Sequence, residues 1–261
     1  MIAVIPARYA SERLPGKMLA DLLGTPLIIK TYEQARKART VGRVIVATDD
    51  ERIRDAVIAA GGEAVMTSSS HKSGSDRVAE VAAGLPKGSV IVNVQGDEPL
   101  ISPDTIDRAV EALLIDPRAD IATTNEPIDH IEDLLNSNVV KVAVSERNNA
   151  IYFSRSPIPF PRDAALRHGG DLARALEAEP HLLKTFFKHT GLYVYRREYL
   201  LEFTRRAQTR LEQTEKLEQL RALENGAIIK VVMADDRSVG VDTEADLEKV
   251  REMLRVQLAK H

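Results

Sequence analysis

The chain has no cysteine among its 261 residues. That excludes a disulfide framework, a thiolate zinc site and a thiol nucleophile. A sustained basic stripe is also missing, because the net charge of −3 comes from acidic and basic residues interspersed along the sequence. A long nucleic acid is therefore not the expected partner. No stretch reaches the roughly 20 apolar residues of a membrane helix, so no membrane insertion is expected. The first residues lack the positive region and long apolar stretch of a secretory signal. A cytoplasmic protein is the simplest expectation. The common nucleotide loops G-x-G-x-x-G and G-x-x-x-x-G-K-[ST] are absent, and so are H-E-x-x-H and G-x-S-x-G. There is no internal repeat and no low-complexity tract. The length suits one large core, or one with a smaller lobe attached.

What is present begins with MIAVIPARYASERLPGK. Ile2, Val4 and Ile5 make a short apolar run ended by Pro6, the pattern of a buried strand. A loop with Arg8, Arg13 and Lys17 follows, turned by Pro15-Gly16. A basic loop at the carboxyl end of a strand is where open α/β sheets hold phosphates. A solubilising surface loop is the plainer alternative. Further strands are expected at Val44–Ala47, Ala64–Met66, Val90–Val94 and Ile121–Thr124. Between them come helices: one after Thr25-Pro26, with Thr25 as its cap, one through Ile53–Ala60, one at Ser73–Ala83 and one from Pro103. This alternation predicts an α/β fold, three-layered, with a mostly parallel sheet and helices on both faces. The rhythm breaks near residue 125. Val139–Val144 and Ile151–Arg155 form an expected hairpin, and residues 163–180 are polar and read as mobile or partner-facing. A strand at Leu192–Tyr195 and a helix at Glu198–Arg206 come next. Then follow one helix over Leu211–Glu224, a strand at Ile228–Met233 and a final helix from Glu244. Residues 1–124 and 207–261 are thus expected to form the core, with 125–206 a smaller mixed lobe.

Four more stretches carry candidate chemistry. Gln95-Gly96-Asp97-Glu98-Pro99 puts carboxylates at a strand's carboxyl end, where Asp97 is placed to hold Mg²⁺; a polar turn is an equal reading. In Gly240–Asp246, Thr243 and Asp246 match a capping box, which leaves Asp242 as a second metal ligand. Ser73 and Asp76 match another capping box, beside which Arg77 adds donors. Lys188–Tyr193 offers His189 and Tyr193, although a lone histidine is more often structural. Glu212, Glu215 and Gln219 share a helix face. A solvated polar face is the better local explanation for them.

As a set, these stretches resemble the bacterial 3-deoxy-manno-octulosonate (Kdo) cytidylyltransferases, also called CMP-Kdo synthetases. The carriers are IPARYASERLPGK, VATDD, HKSGSDRVAEV, VNVQGDEPLI, VVKVAV, IYFSRSPIPF, KHTGLYVYR, LEQTEKLEQLRALENG and GVDTEADLE, in family order over nearly the whole length. Ser75 stands where threonine is common, and a hydroxyl is kept. The stretch Asp163–Pro180 matches weakly. The resemblance implies a nucleotide-diphospho-sugar transferase-like fold and transfer of CMP from CTP to Kdo, with Mg²⁺ as cofactor and pyrophosphate as leaving group, for lipopolysaccharide synthesis. It implies Arg8, Arg13 and Lys17 on the triphosphate, and Asp97 and Asp242 on Mg²⁺, with Arg13, Lys17, Asp97 and Asp242 forming the catalytic set. Backbone near Ala7, with Ser73, Arg77 and Gln95, would read cytosine and ribose. Arg155, His189, Tyr193 and Glu212 would bind the sugar acid, Arg155 suiting its carboxylate. A homodimer is the implied assembly, with the middle lobe in contact. Three alternatives stay open: the same chemistry on sialic acid or an amino variant of Kdo, a non-catalytic nucleotide-binding regulator, and a glycosyltransferase on a similar sheet.

Overall fold

The strand carrying Val4 and Ile5 has neighbours on both sides, which makes it the axis of the sheet. A computed structural model describes residues 1–10, 13–234, 237 and 239–259. Among these residues nine strands run in chain order: Ile2–Ala7 (β1), Arg43–Thr48 (β2), Glu63–Met66 (β3), Val90–Asn93 (β4), Ile121–Pro127 (β5), Lys141–Val144 (β6), Ala150–Ser154 (β7), Phe187–Arg196 (β8) and Ile229–Met233 (β9). The α-helices are Leu27–Lys37 (α1), Glu51–Ala59 (α2), Gly74–Ala83 (α3), Pro103–Ile115 (α4), Ile131–Leu135 (α5), Arg162–Arg167 (α6), Leu172–Ala178 (α7), Arg197–Phe203 (α8), Arg210–Glu215 (α9), Gln219–Glu224 (α10) and Glu244–Leu258 (α11).

The sheet order is β3-β2-β1-β4-β8-β5-β9. All neighbours on this path are parallel except β8, which runs antiparallel to both β4 and β5. The hairpin β6–β7 joins through β6 to β8. The period of two along each strand separates the side chains onto two faces. Ile5, Val46 and Val92 pack in one apolar cluster with Leu27 and Ile28 of α1, Ile106 and Val110 of α4, and Leu247 and Val250 of α11. Val4, Ile45 and Ile91 pack in the other with Val78 of α3, Leu200 and Phe203 of α8 and Leu220 of α10. Each such side chain stabilises the fold by about 1.5–3 kcal/mol when fully buried. Helices therefore cover both faces, as expected.

Several local expectations change. Thr25 does not cap α1: Pro26 holds the N-cap position without a side-chain bond, and the Thr25 carbonyl accepts from the Leu22 N–H at 2.8 Å. Residues 163–180 are mostly helical, contributing most of α6 and all of α7, and Leu176 packs with Ile128, Leu134 and Phe186 in a small third cluster. The expected helix over 211–224 is two helices, broken at Lys216, whose φ is +54°. The break frees the Glu215 and Lys216 carbonyls, and Arg155 takes both. Finally, β8 lies in the middle of the main sheet, so residues 125–206 do not form a lobe apart. They leave the sheet after β5 and return through its centre.

Candidate active site

From β1 the chain continues to β2 on one side and pairs with β4 on the other, so the carboxyl ends of β1 and β4 flank a switch point where such sheets bind ligands. A cleft of about 370 Å³ opens there. Pro6, Ala7 and Arg8 from the end of β1 line it, with Arg13 and Lys17 from the basic loop, residues 71–74 and Arg77 around the start of α3, Gln95, Gly96 and Asp97 after β4, and Asp242 before α11. Five of these side chains are lysine or arginine, against two carboxylates. That balance suits a polyanion.

Lys17 ties the cleft together. Gly16, at φ +72°, makes the turn that brings it inward. Its ammonium is buried and donates to Asp97 Oδ2 at 2.7 Å, the Val241 carbonyl at 2.9 Å and Asp242 Oδ1 at 3.0 Å. Burial works against the charge, but Asp97 and Asp242 outweigh it and hold the pKa above the ordinary lysine value. Arg13 is exposed and pairs with Asp242 Oδ2 at 2.8 Å. The Val241 N–H donates to the Asp97 carbonyl at 2.9 Å, which joins the two acidic segments through their backbones. Gly96 lets the loop after β4 lie close against the end of β1, since a Cβ there would lie 2.8 Å from the Pro6 carbonyl oxygen and 3.1 Å from Met18 Sδ.

The donor set also answers whether a metal fits. Asp97 and Asp242 converge on one point, the Lys17 nitrogen, and offer hard oxygen ligands. Among the described residues no three His, Cys, Asp or Glu side chains gather to hold an ion on their own. Two carboxylates completed by water and substrate phosphate are what Mg²⁺ accepts. The residues therefore fit a cation that arrives with a phosphorylated substrate.

The wall made by α3 is braced from behind. Ser73 caps α3 in a capping box with Asp76, and its hydroxyl donates to Glu218 Oε1 at 3.2 Å. Ser75 donates to Glu218 Oε2 at 2.8 Å. Burial pushes the Glu218 pKa up, against the bonds from both serines and the pull of Arg221. Arg77 lines the cleft, but its buried guanidinium is bonded to Asp49 Oδ2 at 2.8 Å and Thr67 Oγ1 at 2.5 Å. Its donors hold the loop after β2 instead of standing free to read a base.

On the sugar side the expectations divide. His189 and Tyr193 lie together, with ring centroids 5.2 Å apart, and Phe153 packs edge-on to His189 at 5.1 Å. Burial lowers the His189 pKa to about 3, so the imidazole is neutral, and raises the Tyr193 phenol well above its ordinary value. Gln95 reaches this group, its Nε2 donating to Asn93 Oδ1 at 3.3 Å and the Gly191 carbonyl at 3.4 Å. Two of the expected sugar ligands are engaged within the protein. Arg155 spends its guanidinium on the carbonyls of Glu215 at 2.6 Å, Ser137 at 2.9 Å and Lys216 at 3.4 Å, so it holds the break between α9 and α10. Glu212 is buried and forks onto Arg221, with Nε to Oε2 at 2.9 Å and Nη2 to Oε1 at 2.8 Å. It is neither a free substrate ligand nor part of a solvated face. Sequence reasoning missed Lys72 and His71 in the cleft wall, although both stand beside Ser73 in a stretch already marked, and it missed Glu218, which has no local signal.

The cytidylyltransferase family model matches residues 2–232. The chain belongs to the cytidylyltransferase family. A 3-deoxy-manno-octulosonate cytidylyltransferase of Trichlorobacter lovleyi is 51% identical over 98% of both chains. One from Geotalea uraniireducens is 53% identical, covering 97% of this chain and 98% of its own. A solved structure of CMP:2-keto-3-deoxy-manno-octonic acid synthetase complexed with CTP superposes with a TM-score of 0.87 at 40% identity, over 98% of both chains. A 4-diphosphocytidyl-2C-methyl-D-erythritol synthase from Anaerococcus prevotii shares the fold alone, with a TM-score of 0.61 at 10% identity. As a cytidylyltransferase the chain is a nucleotidyl-transferring enzyme, and the regulator and glycosyltransferase readings fall away.

Proposed function

We propose that this cytidylyltransferase transfers CMP from CTP to Kdo. The observation that carries the reading is the meeting of Lys17, Asp97 and Asp242 at the switch point, beside the basic loop. The anomeric hydroxyl oxygen of the sugar bonds to the α-phosphorus, the bond from that phosphorus to the bridging oxygen breaks, pyrophosphate leaves, and the hydroxyl proton is released. In such a transfer the protein positions the reactants and neutralises charge. Arg8, exposed in the cleft, and Arg13 bind the triphosphate. Lys17 steadies the charge that builds on the leaving pyrophosphate. Mg²⁺, when bound by Asp97 and Asp242, supplies further neutralisation at the phosphates. Ala7, Ser73 and Gln95 face the nucleoside, with Arg77 bracing their wall. His189 and Tyr193 receive the sugar acid.

The reading extends to a homodimer working in the cytoplasm. Support for the dimer comes from Leu135, Ile151, Phe160 and Leu166, apolar side chains 47–62% exposed on the middle stretch, which a second copy would cover. Pyrophosphate release from CTP, Mg²⁺ and Kdo tests the activity, with sialic acid and amino-Kdo as competitors. Absence of release by folded protein, or preference for a competitor, would overturn the substrate. Sedimentation as a monomer at micromolar concentration would overturn the dimer.

A further inference from the structure

We propose that Thr123 is a positioning residue of the sugar-acid site, fixing His189 as its Nε2–H tautomer so that Nδ1 acts only as a hydrogen-bond acceptor for a sugar hydroxyl. The inference rests on the reading of His189 as a sugar contact and deepens it.

β8 is irregular opposite β5. Opposite β5, Thr123 pairs with Tyr193, yet the next residue, Thr124, pairs with Thr190. Gly191 and Leu192 are therefore extra residues, and the strand bulges. In an unbroken strand, residues four apart stand about 13 Å from each other. The bulge brings the His189 and Tyr193 rings to 5.2 Å. It also turns two backbone carbonyls away from the regular ladder, and side chains take them. Gln95 Nε2 donates to the Gly191 carbonyl, and the Thr123 hydroxyl donates to the Leu192 carbonyl at 2.7 Å. Thr124 and Thr190 close the bulge with a hydroxyl–hydroxyl bond.

The protons now decide the tautomer. A threonine hydroxyl has one hydrogen to donate. Thr123 gives it to the Leu192 oxygen, which has none to return. At the 2.9 Å contact between Thr123 Oγ1 and His189 Nε2, the hydroxyl can then only accept. Nε2 carries the proton. The half-buried ring, packed edge-on by Phe153, is held neutral by desolvation that lowers its pKa to about 3, so Nδ1 keeps a lone pair. Among the described residues Nδ1 has no hydrogen-bond partner. An acceptor at that position welcomes a hydroxyl and repels the oxygens of a carboxylate. His189 is therefore matched to the hydroxyl-bearing part of a sugar acid, not to its acid group.

The test uses the full-length protein labelled with ¹⁵N-histidine, whose six histidines give a readable long-range ¹H–¹⁵N spectrum. Loss of a signal in His189→Gln assigns the ring. The expected spectrum, without substrate, has a protonated Nε2 and a bare Nδ1. Thr123→Val is expected to mix the tautomers and raise the KM for Kdo about tenfold, while kcat and the KM for CTP stay within about twofold. Thr123→Ser, which keeps the hydroxyl, restores both the spectrum and the KM. A protonated Nδ1 in the unsubstituted protein overturns the proposal. So does Thr123→Val with unchanged tautomer and unchanged KM. If Thr123→Val fails to fold, the unsubstituted spectrum and Thr123→Ser still decide. Because the spectrum needs no sugar, failure to turn over Kdo counts against the substrate reading alone.

Discussion

Glu212→Gln separates a carboxylate that holds the fold from one that holds the substrate. In the structure the Glu212 and Arg221 side chains are only 4% and 7% exposed, and two parallel N–H···O bonds join them. Arg221 also reaches the Phe203 and Arg206 carbonyls at 3.3 Å and lies over the Phe203 ring. Breaking such a buried pair costs about 3–5 kcal/mol, because the surviving charge stays buried without its partner. Two features move the expected value to the low end. Glutamine still accepts one bond, and Glu218 Oε1 lies 3.3 Å from Arg221 Nη2 as a second anion. The bond that Glu212 accepts from the Thr209 N–H at 3.3 Å is one a glutamine amide oxygen can also accept. The expected loss is about 3 kcal/mol, or roughly 6–12 °C in Tm for a chain of this size. Thermal unfolding followed by circular dichroism measures it. A cycle of Glu212→Leu, Arg221→Met and the Glu212→Leu/Arg221→Met double variant isolates the pair, and the double variant should recover most of the loss. A Tm drop below about 2 °C together with a tenfold rise in the KM for Kdo would refute the reasoning and return Glu212 to the substrate.

Asp97→Asn should cut turnover by at least about a hundredfold while leaving the melting temperature nearly unchanged, since Lys17 keeps Asp242 and the Val241 carbonyl; pyrophosphate release and a thermal scan check both halves. Gly96→Ala should cost about 1–3 kcal/mol and weaken CTP binding, because the new methyl meets the Pro6 carbonyl oxygen at 2.8 Å and backbone cannot yield cheaply; calorimetric titration with CTP measures the second effect. Asp107 is buried and accepts from the N–H groups of Arg39 and Thr40, the Arg39 Nε and the Thr40 hydroxyl. Burial alone would raise its pKa, but these bonds outweigh it and hold the carboxyl below its ordinary value. Its stabilisation is thus complete above about pH 4 and is lost as pH falls through the lower folded value. Urea midpoints measured from pH 3 to 7 should show a shallower acid decline for Asp107→Asn than for the unsubstituted protein.

The parallel half of the sheet was legible because its signals are local. Val4 and Ile5, Val44–Ala47 and Val90–Val94 are apolar runs that end in polar loops, and capping boxes at Ser73 and Thr243 mark helix starts within four residues. Lys17 in the basic loop, Asp97 after a strand and Asp242 before a helix were legible as types, although their meeting across more than 200 residues is set by the sheet order. The losses are long-range. Nothing near Arg221 in sequence says that it will neutralise Glu212 in the interior, and nothing near Arg155 says that two helix carbonyls will claim it. A break at Lys216 is invisible in a stretch of good helix formers, since a left-handed residue there is stabilised by Arg155, about 60 residues earlier, on the Glu215 and Lys216 carbonyls. The bulge at Gly191-Leu192 left a trace, a glycine inside a strand pattern, but its effect on His189 depends on Thr123 in another strand.

The place of β8 also sets an order of events during synthesis. β4 ends at Asn93, and the strand that covers its open edge begins only at Phe187. At about 5–20 residues per second, a nascent chain carries that bare edge for roughly 5–20 s before the sheet can be sealed. β5 emerges within this interval with no strand to join on its inner side. Until β8 threads between them, the two halves of the sheet are separate templates for pairing with other chains. The strand that then locks them together also brings His189 and Tyr193 into place, so closing the sheet and furnishing the sugar wall are a single step of folding.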